Sequence, residues 1–272
     1  MTTDNKFGVL VVGSAALTRV HLPDGVTVET AGGAGLYAAL ASARAGAGTT
    51  LLGVRAEPLP AALSGLGAMV RWVGPVGELP RLEIAHYGGG KAALLGADWG
   101  AEGRLIPDLL DDFDFAGVGW AVAMPMADPA RQLAFVQAFR ARGWRSAAVT
   151  YGRAAGGQRG VVRETMAAAD YFFCNENEAN LLFGGVDGAV AKAGQVVVVT
   201  LGAGGAWVIE AERRTHIAAP VVAEVDPTGA GDTLGGALLA RLAQGDDLLA
   251  AARAGVAAAS ASVGVVGAFG VG

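Results

Sequence analysis

Hydrophobic and polar residues follow one another along this chain in blocks that predict strands and helices in turn. Runs of β-branched and apolar residues, such as 7–12 and 196–201, are typical of strands buried on both faces. Longer stretches with apolar residues at helical spacing follow them. We predict strands at 7–12, 49–54, 69–73, 116–124, 146–150, 171–174, 196–201, 205–210 and 213–217. We predict helices at 33–45, 61–66, 129–141, 161–168, 176–183, from 231 and from 247.

The order of these elements predicts an α/β fold. Strands that alternate with helices form a mainly parallel sheet with helices on both faces. Two extended segments, 14–30 and 75–97, have no helix of their own, and the second contains a glycine turn at 88–90 that indicates a hairpin. We expect these segments to pair as a small second sheet, inserted in a single domain that spans 1–272.

The composition excludes several classes of protein. Hydrophobic residues make up 53% of the chain and charged residues 17%, the opposite of a disordered protein. The net charge of −5 argues against nucleic-acid binding, which needs a basic surface, and against attraction to anionic membranes. Cys174 is the only cysteine, so no intrachain disulfide forms, which fits a reducing cytoplasm.

Signals for membranes and for zinc are weak. The apolar run after Lys6 resembles a short signal peptide, but a buried first strand explains it as well. The stretch 254–272 carries no charge, yet it is too weakly apolar for a transmembrane helix. Three histidines lack the spacing of zinc ligands, and we interpret them as surface or packing residues; they are His21, His86 and His216.

The most specific chemistry lies in the stretch 226–232, which reads Asp-Pro-Thr-Gly-Ala-Gly-Asp before an amphipathic helix. Amides at a helix N-terminus, with the positive end of the dipole, favour an anion. Gly229, Ala230 and Gly231 would form this anion hole, with Asp232 beside it as a base for a hydroxyl proton. These parts suit phosphoryl transfer to an alcohol. A glycine-rich turn capped by Asp232 is the purely structural alternative.

This string resembles the signature of the PfkB/ribokinase family of carbohydrate and nucleoside kinases, D-T-x-G-A-G-D, with Pro227 at the second position. The resemblance implies a three-layer α/β/α sandwich with a small β lid that closes over the site. It implies an ATP-dependent kinase that uses Mg²⁺, in which Asp232 accepts the proton of the attacking hydroxyl. It also offers Asp226 as a ligand for a monovalent cation such as K⁺.

A second motif begins where the strand 171–174 ends. Asn175-Glu-Asn-Glu178 is typical of a helix N-terminus with Asn175 as the cap and Glu178 completing a capping box. It also resembles the N-x-x-E motif of the family. That resemblance implies that Asn175 and Glu178 help to position magnesium, largely through water, and the nucleotide phosphates.

Two further segments concern the nucleotide. A dinucleotide-binding fingerprint would need a helix after the glycines at 202–205, where the pattern predicts a strand. The segment resembles the family's T-L-G-x-x-G, which implies that Thr200, Gly202 and Gly205 touch ATP. The run 257–268 resembles the adenine-side helix and loop, with Ser262 among its nucleotide-binding residues; a tightly packed alanine-rich helix explains this run equally well.

The acceptor side departs from the family pattern. Gly32 and Gly33 resemble its N-terminal G-G motif, which implies that they contact the phosphate acceptor together with Ser14. The family usually has asparagine where Tyr37 stands, and its acceptor-binding aspartate aligns with Thr18. Tyr37 could stack on a flat ring or hydrogen-bond a sugar, or it could be a core aromatic. These departures leave the identity of the acceptor open.

We therefore predict an ATP-dependent cytoplasmic kinase that moves the γ-phosphate to a hydroxyl of a small sugar-like substrate, without nucleic-acid or membrane partners. One alternative is a nucleoside kinase of the adenosine or inosine type. Another is a catalytically inactive nucleotide-binding homologue, and a nicotinamide-dependent reductase is a third. Since lids in this family often pair across a dimer, we also expect a homodimer through the lid.

Overall fold

Residues 8–211 and 213–269, which this computed structural model describes, alternate between strands and helices. The strands are β1 (Gly8–Val12), β2 (Ala16–His21), β3 (Thr27–Gly32), β4 (Gly48–Leu52), β5 (Arg71–Val73), β6 (Arg81–Gly88), β7 (Lys91–Asp98), β8 (Val118–Ala123), β9 (Arg145–Val149), β10 (Tyr171–Asn175), β11 (Val196–Thr200), β12 (Ala206–Glu210) and β13 (Arg213–Ile217). The α-helices are α1 (Ala34–Arg44), α2 (Leu109–Asp112), α3 (Pro129–Ala141), α4 (Gly152–Gly157), α5 (Arg159–Ala168), α6 (Glu176–Phe183), α7 (Ala230–Ala243) and α8 (Leu248–Ser262).

A nine-stranded sheet forms the centre, in the order β13-β12-β11-β10-β9-β8-β1-β4-β5. Its strands pair in parallel from β5 to β11, and β12 and β13 add an antiparallel edge. Consecutive residues Val9 to Val12 of β1 are all fully buried. Because successive side chains point to opposite faces, both faces of the sheet must be covered. One packed set of helices contains α1, α7 and α8, and another contains α3 to α6, which gives three layers.

A four-stranded sheet, in the order β3-β2-β6-β7, stands apart from the main one and is called the lid sheet below. Its strands come from the two extended segments that the sequence indicates. β6 and β7 form the expected hairpin, with Gly88, Gly89 and Gly90 all at positive φ in its turn. Because β2 and β3 lie between the end of β1 and the start of α1, the lid sheet stands over the carboxyl edge of the main sheet. Ligands of open α/β sheets bind at this edge.

The sequence predictions fail where glycine weakens the local signal. The helix predicted at 61–66 is two 3₁₀ turns, Ala61–Leu63 and Leu66–Ala68, because Gly65 and Gly67 disfavour a continuous helix. The sequence analysis also missed α4, whose residues Gly-Arg-Ala-Ala-Gly-Gly have low helix propensity. Phe7, the first residue of the strand predicted at 7–12, lies outside the described residues.

The last described segment returns from α8 across the helix layer. The Ala268 N–H donates to Ala31 O at 3.3 Å, and Arg44 Nη1 donates to Ala268 O at 3.3 Å. The first part of the uncharged stretch, 254–262, belongs to α8, an alanine-rich helix that packs against α7. Among the described residues, no helix has the length and apolar character that crossing a membrane would require.

Candidate active site

The 226–232 turn lies at the N-terminus of α7, as the sequence predicts. Gly229 has a left-handed φ of +73°, and a Cβ there would come within 2.3 Å of the Tyr37 ring, so only glycine fits. The Ala230 N–H makes a long bond of 3.3 Å to Pro227 O. In the part of the chain that the structure describes, the N–H groups of Gly229 and Gly231 have no hydrogen-bond partner. The predicted anion hole thus has two free amides and one that is weakly engaged.

Asp232 lies in the first turn of α7 and is half-buried. Desolvation raises the pKa of its carboxyl to about 7. Within residues 8–211 and 213–269, its carboxyl forms no hydrogen bond and no ion pair. A carboxyl group with this pKa, free of competing partners and next to unpaired amides, is suited to accept a proton near neutral pH.

Asn175 and Glu178 form a complete capping box at the start of α6. The Glu178 N–H donates to Asn175 Oδ1 and the Asn175 N–H to Glu178 Oε2, both at 2.9 Å. Glu178 is buried, and desolvation raises the pKa of its carboxyl to about 7, with the charge of Asp232 adding to the rise. The structural interpretation of this motif is therefore correct, and the same carboxyl lies close enough to Asp232 to interact with it electrostatically.

The glycine loop after β11 lies beside this cap. Thr200 pairs with Asn175 across β10 and β11, so both residues stand at the carboxyl edge of the sheet. Gly202 has a φ of +56° and Gly205 a φ of +90°, where a Cβ would meet Ile217 O at 2.0 Å. Glycine at these positions gives a tight turn that keeps the backbone close to the edge. No helix follows the loop, which agrees with the rejection of a dinucleotide fingerprint.

Ser262, predicted to bind nucleotide, ends α8 and is buried. Its Oγ donates to Ala259 O at 2.8 Å, so the hydroxyl is used within its own helix. The residue lines a cleft of about 740 Å³ between α1, α7 and α8, to which Tyr37 and Thr233 also contribute. Its oxygen can still accept a hydrogen bond from a ligand in this cleft, and the contact of Ser262 with a nucleotide stays a prediction.

The predicted acceptor residues meet where β1, the lid sheet and α1 join. Added Cβ atoms at Gly32 and Gly33 would meet Thr18 Oγ1 at 2.4 Å and Ser14 O at 2.5 Å, so these glycines allow close backbone approach. Thr18 is 2% exposed, and its hydroxyl has no hydrogen-bond partner among the described residues. An unpaired buried hydroxyl is costly, and it is therefore a candidate partner for a bound ligand.

Tyr37 packs beneath the 226–232 turn. The side chain is 5% exposed, and its ring lies against Gly229. Burial raises the pKa of its hydroxyl, and the charges of Asp226 and Asp232 add to the effect. This packing favours the core-aromatic interpretation of Tyr37 over a wall for a flat acceptor ring.

His86, predicted to be a surface or packing residue, is buried and contacts the 226–232 turn. The residue lies at the end of β6 in the lid sheet, and its side chain is 2% exposed. Its Nε2 lies 3.0 Å from Thr228 Oγ1 and 3.1 Å from Asp226 Oδ1. The lid sheet therefore touches the turn directly. The sequence carries no signal for this contact, because the two partners are more than a hundred residues apart.

Asp226, predicted as a ligand of a monovalent cation, is surrounded by nitrogen groups. Oδ1 accepts the Thr228 N–H at 2.9 Å, and Oδ2 accepts the Gly267 N–H at 3.0 Å. His86 Nε2 approaches Oδ1 as well, and the Asp226 side chain is 1% exposed. Nitrogen groups thus approach both carboxylate oxygens, two at Oδ1 and one at Oδ2, and a cation would have to share these oxygens with them.

Glu102, which no sequence motif indicates, binds the Ser14 hydroxyl. It is fully buried, and burial raises the pKa of its carboxyl. Oε2 accepts the Ala127 N–H at 3.0 Å, Ser14 Oγ donates to Oε1 at 3.3 Å, and Arg131 Nη1 lies 3.5 Å from Oε2. This network occupies the Ser14 hydroxyl and fixes the end of β1 relative to the loop after β8.

Residues 116–270, more than half of the chain, match the family model described as pfkB family carbohydrate kinase. The chain belongs to the pfkB family. This match confirms the family predicted from the sequence. The protein is therefore an ATP-dependent kinase, and kinases of this family generally use ATP with a divalent metal.

Solved structures confirm the fold of this pfkB kinase. Adenosine kinase from Sinorhizobium meliloti is 21% identical, with a TM-score of 0.77 over 97% of this chain and 95% of that one. Ribokinase from Cryptococcus neoformans in complex with ADP is 20% identical, with a TM-score of 0.77 over 97% and 95%. Nucleoside kinase from Burkholderia thailandensis in complex with inosine is 17% identical, with a TM-score of 0.78 over 97% and 93%.

Proposed function

We propose that this pfkB kinase transfers the γ-phosphate of ATP to a hydroxyl of a small sugar-like acceptor, with Asp232 as its base. The proposal rests on the position of the half-buried Asp232 carboxyl beside the free amides of Gly229 and Gly231. Desolvation raises the pKa of this carboxyl to about 7. A base and an anion hole at one helix N-terminus are the two groups that this reaction needs from the protein.

In the proposed reaction the acceptor oxygen forms a bond to the γ-phosphorus while the bond from phosphorus to the β,γ-bridging oxygen of ATP breaks, and ADP leaves. Asp232 takes the proton of the acceptor hydroxyl. The amides of Gly229, Ala230 and Gly231 hold the oxygens of the transferring group, which requires Ala230 to give up its long bond to Pro227 O. Positioning and electrostatics supply most of the catalysis in such transfers.

Asn175 and Glu178 are proposed to hold Mg²⁺ through water, and Thr200, Gly202 and Gly205 to contact ATP. Support comes from their common position at the carboxyl edge of β10 and β11. The capping box uses one acceptor position on each Glu178 oxygen and leaves others for water. When bound, Mg²⁺ would neutralise negative charge on the phosphates.

The acceptor site is proposed to include Thr18, Gly32 and Gly33, with Ser14 held behind them by Glu102. The unpaired Thr18 hydroxyl fits a hydroxyl of a sugar or of a ribose ring equally well. A nucleoside acceptor is the second candidate, because two of the compared structures are described as adenosine and nucleoside kinases. Tyr37 does not favour it, since its ring packs beneath Gly229.

A cytoplasmic homodimer is proposed as the working form. Cys174 is buried and unpaired, which fits a reducing compartment. In the lid sheet, Tyr87, Leu94 and Leu95 are exposed, and Leu94 and Leu95 lie on the edge strand β7. Exposed apolar residues on a sheet edge are suited to a second copy of the chain. Light scattering of the wild type and of Leu95→Lys tests this: the variant should be the smaller species.

The proposed reaction is tested by an acceptor panel. The protein, ATP and Mg²⁺ are incubated with ribose, fructose, adenosine, inosine or inositol, and ADP and the phosphorylated product are measured by mass spectrometry. We expect a stoichiometric phosphomonoester with at least one sugar or nucleoside. ATP binding without any phosphorylated product over a broad panel would instead favour an inactive homologue.

A further inference from the structure

The lid sheet contacts the chain around the 226–232 turn at two points. One is the buried contact of His86 with Asp226 and Thr228. The other is a hydrogen bond of 2.8 Å from the Gly90 N–H, in the turn of the β6–β7 hairpin, to Glu224 Oε1. Both contacts come from one hairpin, and both end within five residues of the start of the anion hole.

The buried contact brings one ring nitrogen to two oxygens. His86 Nε2 forms a hydrogen bond of 3.0 Å with Thr228 Oγ1 and lies 3.1 Å from Asp226 Oδ1. Nδ1 of the same ring is buried without a partner in the described part of the chain. The ring therefore makes all its polar contacts through Nε2, on the side of Asp226 and Thr228.

Asp226 would otherwise be a buried carboxylate with only two backbone donors. Such a group is costly without a partner that compensates its charge. In the described residues, Arg and Lys side chains form no ion pair with it, and the basic side chain beside it is His86, whose Nε2 lies 3.1 Å from Oδ1. Thr228, which His86 also touches, immediately precedes Gly229 of the anion hole.

We propose that His86 is a positioning residue that holds Asp226 and Thr228 in place of a monovalent cation, and so couples the anion hole to the lid sheet. The inference rests on the proposed function, because it assumes that the amides of Gly229 and Gly231 receive the γ-phosphate. It predicts that phosphate binding does not depend on K⁺, and that removal of the imidazole opens a space beside Asp226 that a cation can fill.

The first test needs no variant and no acceptor. The affinity of wild-type protein for the ATP analogue AMP-PNP with Mg²⁺ is measured in KCl and in choline chloride at equal ionic strength. We expect the two dissociation constants to agree within about twofold, since nitrogen groups approach both oxygens of Asp226 where K⁺ would have to bind. An affinity more than about tenfold higher in KCl, or a thermal stabilisation specific to K⁺, would overturn the proposal.

The second test uses His86→Ala with His21→Ala as the matched control, since His21 lies in the same lid sheet and its ring hydrogen-bonds Thr27 and Glu83. In choline chloride, we expect His86→Ala to bind AMP-PNP about tenfold more weakly, with ADP affinity changed much less. KCl should restore part of the loss. His21→Ala should match the wild type.

If His86→Ala loses affinity equally for AMP-PNP and for ADP, or if KCl does not change its affinity, His86 only supports the fold and the inference is refuted. If His86→Ala does not fold, His86→Gln supplies a side-chain amide donor of similar reach and should retain AMP-PNP affinity within about threefold. These binding measurements decide the role of His86 even if the acceptor panel gives no product.

Discussion

The phosphate side and the acceptor side of this site are built in different ways. On the phosphate side, each group belongs to a short motif at the first turn of a helix, α6 or α7. On the acceptor side, Thr18 and Gly32 lie on the paired strands β2 and β3 of the lid sheet, and Ser14 is held by Glu102, 88 residues away. The groups for phosphoryl transfer can therefore be recognised from short motifs, whereas the acceptor site depends on strand pairing and on one long-range contact.

The largest expected effect concerns the base. Asp232→Asn should lower kcat by about 10³-fold, because the amide cannot accept the proton, while AMP-PNP affinity changes by less than about threefold. Asp246→Asn is the matched control, since Asp246 pairs with Arg241 at the opposite end of α7. Rates are measured by coupled ADP release. Near-normal turnover by Asp232→Asn would remove Asp232 from the proposed mechanism.

The two glycines of the anion hole should behave differently. A Cβ at Gly231 meets no atom within 4 Å, so Gly231→Ala should fold normally but crowd a bound phosphate and lower kcat/KM by about 10²-fold. Gly229→Ala should also lose stability, by about 1–3 kcal/mol, because of its positive φ and the Tyr37 ring. Thermal melts and kinetics compare the pair. Full activity of Gly231→Ala would contradict a phosphate at these amides.

The rate should depend on pH through Asp232. Its pKa is raised to about 7, so the carboxyl is protonated, and inactive as a base, below that value. We expect kcat to rise about fivefold between pH 6 and pH 7, about tenfold between pH 6 and pH 8, and to level off above pH 8. Circular dichroism at each pH shows whether the fold is intact. A flat profile down to pH 5 would mean that proton transfer does not limit the rate.

The smallest effect is expected on the acceptor side. Thr18→Val removes a buried unpaired hydroxyl, so stability should rise by about 1 kcal/mol while the KM for the acceptor rises several-fold and the KM for ATP stays constant. Thr150→Val is the control, because its buried hydroxyl is also unpaired but lies outside the lid sheet. If both variants leave the acceptor KM unchanged, Thr18 does not bind the acceptor.

The sequence predicted most of the fold because its signals are local. The bounds of α3, α6 and β13 agree with the predicted ranges, and the capping box of Asn175 and Glu178 is present as its spacing indicated. The two extended segments were sufficient to predict the lid sheet. These features depend on residues a few positions apart, which periodicity and cap chemistry report directly.

The contacts of His86, Glu102 and Tyr37 could not be predicted in the same way. Each joins segments that are far apart in sequence: the lid sheet to the turn, a 3₁₀ turn to the end of β1, and α1 to Gly229. A lone histidine or glutamate carries no spacing that reveals a partner so far away. The cation at Asp226 stays a prediction, and the nitrogen groups around the carboxylate come from three separate segments that no short pattern brings together.

The backbone around Asp226 is anchored by the segment that follows α8. The N–H groups of Val225 and Asp226 both donate to Val263 O, and Gly267 donates to the Asp226 side chain. A ribosome synthesises Val263 and Gly267 after the 226–232 turn and after β1–β13 and α1–α8. A nascent chain therefore carries Asp232 and Glu178 before it can hold the turn in place, and we expect phosphoryl transfer only once this segment has docked.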